Sequence, residues 1–95
     1  MKALAIFKED HIVMRRLIDY FEKRSKYHNV SINYSSGTFH AEETSFLFRK
    51  KVFLLKVIAA SESITNVSVR IKSSSALKDD EVEEELLCNK FSSYL

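Results

Sequence analysis

The chain has 95 residues, of which 45% are hydrophobic and 29% charged, with a formal net charge of +2. A chain of this size makes one domain, residues 1–95, burying about 60–65% of its unfolded surface and leaving little room for a deep pocket. The composition excludes a disordered chain, and a charge so near neutral does not by itself demand a polyanionic partner.

Residues 2–7 (KALAIF) have the length of a strand, with Ala3, Ala5 and Phe7 on one face and Leu4 and Ile6 on the other. Apolar residues on both faces predict a strand that is central or buried on both sides. Asp10 then offers a helix N-cap, with Glu9 beside it to complement the dipole. Met14, Leu17, Ile18 and Phe21 recur at i, i+3, i+4 and i+7 and predict an amphipathic helix. It should close near Tyr27, His28 and Asn29, where Asn can take the left-handed C-cap conformation.

Residues 30–34 alternate Val, Ser, Ile, Asn, Tyr, and residues 38–42 alternate with Phe39 and Ala41 opposite Thr38, His40 and Glu42. With Ser35, Ser36 and Gly37 between them, the two segments predict a hairpin. Residues 43–45 make a further turn. Residues 46–60 (FLFRKKVFLLKVIAA) form the longest apolar run and are rich in Phe and β-branched residues, which predicts a strand. As a helix, the run would scatter Arg49, Lys50, Lys51 and Lys56 around the axis and bury charge. Phe46 and Phe48 lie on even positions, whereas Phe53, Leu55 and Val57 lie on odd ones. A β-bulge near Lys50 would exchange the faces within one long strand.

A Ser-rich loop follows, then Val67, Val69 and Ile71 alternate with Ser68, Arg70 and Lys72 as a last strand. Residues 73–78 read as a linker. Asp80 with Glu83 resembles a capping box, and Val82, Leu86, Leu87, Phe91, Tyr94 and Leu95 supply the stripe of a second helix. The expected fold is α+β: an antiparallel sheet of about four to five strands with two helices packed on one face, in the order β-α-β-β-β-β-α.

One Gly and no Pro exclude the glycine-rich phosphate loops of nucleotide-binding folds. A single Cys forbids an internal disulfide and fits a reducing compartment; Cys88 on a helix reads as a small apolar residue. The 46–60 run is interrupted by four cations and is shorter than the roughly 20 residues a membrane span needs. No secretory signal core is evident, so the protein is read as cytoplasmic, without a membrane partner. His11, His28 and His40 have no metal-ligand spacing, and neither a metal nor any other cofactor is expected. His40 and Glu42 share a strand face, a possible acid-base pair, but no nucleophile is tied to them by spacing. The acidic run at residues 79–85 lacks the pattern of a calcium loop and reads as a solvated helix start.

Two surface sets remain. Arg49, Lys50, Lys51, Lys56, Arg70 and Lys72 could gather as a polyanion-binding sheet face, with Tyr34 or Phe46 near for stacking; alternatively they are ordinary charges that keep the sheet soluble. If Phe53, Leu55 and Val57 face the helices, then Val52, Leu54 and Ile58 point outward and form an apolar row suited to a homodimer. The functions expected are, first, a small non-enzymatic binding or assembly protein that forms a homodimer; second, a nucleic-acid-binding domain for RNA or DNA; third, a small enzyme of unknown class.

Overall fold

The computed structural model describes residues 2–44, 50–73 and 80–95. It contains β1 (Lys2–Ile6), α1 (Asp10–Glu22), β2 (Tyr27–Asn33), β3 (Thr38–Thr44), β4 (Lys50–Ala59), β5 (Thr65–Ser73) and α2 (Asp80–Tyr94). The strands form one antiparallel sheet in the spatial order β1-β5-β4-β3-β2, so β4 is the middle strand. The α+β order predicted from sequence is the order found, with five strands.

Side-chain alternation divides the sheet into two faces. Phe39, Ala41, Phe53, Leu55, Val57, Val67, Val69 and Ile71 lie on the face covered by the helices and are all buried. From α1, Val13, Leu17, Tyr20 and Phe21 meet this layer; from α2, Leu87 and Phe91 do, with the terminal Leu95. The helices touch each other through rings: Tyr20 and Phe91 stand edge to face at 5.0 Å between centroids. Arg16 Nη1 donates to the Leu95 carbonyl at 2.9 Å and ties the chain end to α1. Such edge-to-face pairs add about 0.5–1.5 kcal/mol beyond area burial.

Several local expectations are corrected. β1 is an edge strand, not a central one: it pairs with β5 alone, and Ala3 and Ala5 are exposed. Small apolar residues on its outward side imitated a doubly buried strand. The α1 N-cap is Glu9, with no side-chain capping bond, and Asp10 lies in the first turn. The helix stops at Glu22, well before Tyr27. Asn29 does take positive φ (51°), but inside β2, at an irregularity between His28 and Ser31 where the register with β3 shifts. The buried line of α1 also runs through Val13 and Tyr20, leaving Met14 and Ile18 as partly buried flanks. On α2, Val82 and Leu86 are exposed, and Glu84 takes an inward position instead.

The hairpin between β2 and β3 is shaped by two residues. Asn33 Oδ1 accepts from the amides of Ser35 and Ser36 at 3.1 and 3.2 Å, an Asx turn. Gly37, at φ +68°, passes so close to β4 that its carbonyl accepts from Val57 N at 2.7 Å. The expected bend of the long strand falls on residues 46–49 with Lys50, of which residues 46–49 lie outside the described ones; β4 begins at Lys50, opposite Thr44.

Candidate functional site

The second face of the sheet carries no helix among the described residues, and on it the cross-strand register defines rungs of side chains. One rung is Lys72, Val52, Glu42 and His28, running from β5 to β2; the next is Arg70, Leu54, His40 and Ser31; a third is Ser68, Lys56, Thr38 and Asn33. Val52 and Leu54 are therefore outward residues of the middle strand, half-buried between polar neighbours, and Ile58 further along is 49% exposed. Beside them, Thr38, Leu54, Lys56, Ser68 and Arg70 border a shallow depression of about 220 Å³. Its floor is apolar and its rim is hydroxyl and cation.

The predicted basic set separates. Lys56, Arg70 and Lys72 share the uncovered face and are exposed. Lys50 shares it too, but its Nζ lies 2.8 Å from Glu42 Oε1. Lys51, one residue on, points to the helix side, where it meets Glu83 at 2.9 Å. Adjacent strand residues alternate in direction, so Lys50 and Lys51 could never have shared a face. Arg49 and Phe46 lie outside the described residues. Tyr34 is an exposed residue of the β2–β3 turn.

Glu42 is the residue that sequence reasoning undervalued. It points outward yet is only 8% exposed, because neighbouring side chains close over it at the surface. Lys50 and Asn29 reach the same oxygen, Oε1, the latter with Nδ2 at 3.3 Å. Oε2 lies 3.5 Å from His40 Nε2. The β-bulge is what aims Asn29 at the carboxylate, and the Asn29 carbonyl in turn lies 3.3 Å from His40 Nδ1. The Lys50 hydrogen bond is the main force holding the Glu42 carboxyl below its ordinary pKa of 4.5; partial desolvation opposes it, and Asn29 adds to it. The sequence pairs only His40 with Glu42, two residues apart on one strand face; Asn29 and Lys50 come from two other strands, and no sequence signal brings them in.

Elsewhere the chemistry is quiet. Cys88 packs against the core, and burial, reinforced by Glu84, pushes its thiol pKa up, away from thiolate reactivity. Burial also raises the Tyr27 phenol well above its ordinary value, helped by the adjoining Tyr20. A cleft between the end of α1 and α2 is lined by Tyr20, Arg24, Lys26, Leu86, Lys90 and Tyr94. Arg24 is already engaged there: it lies 3.7 Å from the Tyr20 ring centroid and donates to the Tyr20 carbonyl at 3.0 Å. Among the described residues no three His, Cys, Asp or Glu side chains gather as a metal site, and no described helix is long and apolar enough to cross a membrane. Comparison with protein-family models, with curated proteins and with solved structures finds no match to this chain.

Proposed function

We propose that this protein is a non-enzymatic assembly domain that works through the uncovered face of its sheet, where a second copy of the chain binds. The observation that carries the reading is the middle strand. β4 buries Phe53, Leu55 and Val57 under the helices and turns Val52, Leu54 and Ile58 to the opposite side. A one-sided antiparallel sheet ordinarily alternates apolar-in and polar-out. β2, β3 and β5 keep that rule outward with Ser31, Asn33, Thr38, His40, Arg70 and Lys72, whereas β4 breaks it. Covering an exposed aliphatic side chain fully is worth about 1.5–3 kcal/mol; Val52 and Leu54, already half-buried, would each add part of that and Ile58, beyond Lys56, more of it, which favours association. Five strands about 4.8 Å apart and up to ten residues long offer roughly 600 Å² of flat area, and side chains raise the accessible area toward the roughly 800 Å² per partner of a stable interface.

Light scattering of the full chain at micromolar concentration tests this. The expected mass is that of two chains, falling to one in Leu54→Lys. A single-chain mass that Leu54→Lys leaves unchanged ends the reading.

A second reading has its own support, because Lys56, Arg70 and Lys72 do share the uncovered face. A nucleic acid bound there would displace counterions, so retention on a heparin column would fall steeply with salt. With Lys50 paired to Glu42 and Lys51 on the other side, Lys56, Arg70 and Lys72 are the three of the five described cations that remain to carry it.

A further inference from the structure

If two copies meet through this face, the charges on either side of β4 decide how. Strands of stacked sheets run within about 30° of one another, which leaves two two-fold arrangements, with the axis in the interface either parallel or perpendicular to β4. A perpendicular axis lays β5 on β5 and β3 on β3. The outward residues of β5 are Asn66, Ser68, Arg70 and Lys72, with no acid among them, while the one outward acid of the rungs, Glu42, is on β3. Basic strand would face basic strand, and the carboxylate would face its own copy. A parallel axis keeps β4 on β4 but places β5 of each copy over β3 of the other at the same level.

We infer that the two copies stack with their axis parallel to β4, so that Lys72 of each copy meets Glu42 of the other. The inference rests on the reading of the uncovered face as a self-association surface. Lys72 and Glu42 flank Val52 on one rung, so when Val52 lies on the axis the two residues exchange places. Stacked sheets are about 10 Å apart, a gap that an extended Lys and Glu span together. Glu42 is only 8% exposed, so Lys72 would reach its carboxylate at the narrow opening its neighbours leave: Lys50 and Asn29 both use Oε1, Oε2 has His40 at 3.5 Å, and a carboxylate offers about four lone-pair sites. Arg70 would face His40, and Ser68 would face Thr38, on the two rungs above. Two cations of β4 meet their own copies on the axis: Lys50, whose charge is offset by Glu42 at 2.8 Å, and Lys56, which is the main repulsive element. Its exposed position and long stem let the ammonium bend to the rim.

Sedimentation equilibrium of the full chain and four variants tests the arrangement. Lys72→Glu, an exposed substitution, is expected to weaken the dimer about tenfold or more by setting acid against acid. Adding Glu42→Gln to that variant should recover part of the loss, and Arg70→Ser should change little. Leu54→Lys disrupts any face-to-face dimer and serves as the reference. If Leu54→Lys dissociates the pair while Lys72→Glu leaves it as tight as the parent, the parallel axis is wrong and the face remains the interface. A clear tightening by Arg70→Ser points to the perpendicular axis and equally overturns the inference. A parent that is monomeric at every concentration removes both readings together.

Discussion

The Glu84 carboxylate accepts the backbone N–H of Ile71 through Oε2 at 2.8 Å, in the interior between α2 and the sheet. β1 pairs with β5 only as far as Val69, opposite Lys2. Beyond that point β5 has no described strand on its free side, and a side chain from the overlying helix takes the place of a backbone acceptor. A buried amide without a partner is destabilising, which explains an acidic residue 3% exposed in the core layer. Glu84→Gln keeps an oxygen at this position and should be tolerated. Glu84→Leu should cost about 1–3 kcal/mol. Urea unfolding of the two variants checks this, and equal losses in both would show that the Ile71 bond is not what holds Glu84 inward.

Gly37 has no substitute. At φ +68° any other residue is strained, and a Cβ there would collide with the Val57 carbonyl oxygen, which is backbone and cannot swing away. Gly37→Ala should destabilise by about 2–4 kcal/mol, combining left-handed strain with overpacking. A chemical denaturation midpoint within error of the parent would show that the hairpin relaxes freely.

Phe91 is fully buried, and its ring meets Tyr20 at 5.0 Å and Phe21 at 6.3 Å. Phe91→Ala should cost about 3–5 kcal/mol, a large share of the marginal stability of a small domain. Deleting residues 91–95 should unfold the helix layer. An unchanged melting temperature after that deletion would mean that α2 is not docked in solution.

The lowered pKa of Glu42 gives a pH dependence of definite sign. Because the folded-state pKa lies below the ordinary value of 4.5, the stabilisation is fully present above 4.5. It is lost as the pH falls through the lowered value, when the carboxylate takes up a proton. The melting-temperature difference between parent and Glu42→Gln should therefore shrink on acidification below 4.5. A difference that stays constant with pH would assign the effect to packing.

Much of the sheet was legible because alternation has a strict period: Phe39 and Ala41, or Val67, Val69 and Ile71, name their own face. The parity of Val52, Leu54 and Ile58 followed in the same way once Phe53 was taken as inward. Other features were hidden for identifiable reasons. Ala3 and Ala5 count as apolar yet face water, so β1 read as central. Glu84 sits in an acidic run that already has a reason to exist at a helix start, which masked its reach to Ile71. Tyr20 was passed over in favour of Met14 and Ile18, although its ring packs against α2. The shielding of Glu42 depends on Asn29, which the sequence placed at the end of the helix and the structure places on the strand beside Glu42, a relationship that only the register supplies.

The irregularity at Asn29 bears on how far such a molecule can grow. β2 is the last strand on its side of the sheet, and an uninterrupted outer strand is a template on which another chain can add. The break between His28 and Ser31 twists that template out of line. At the opposite margin, β1 is only five residues long. Neither margin invites lateral extension into a fibril. Both margins of the described sheet are thereby guarded against open-ended growth by strand addition.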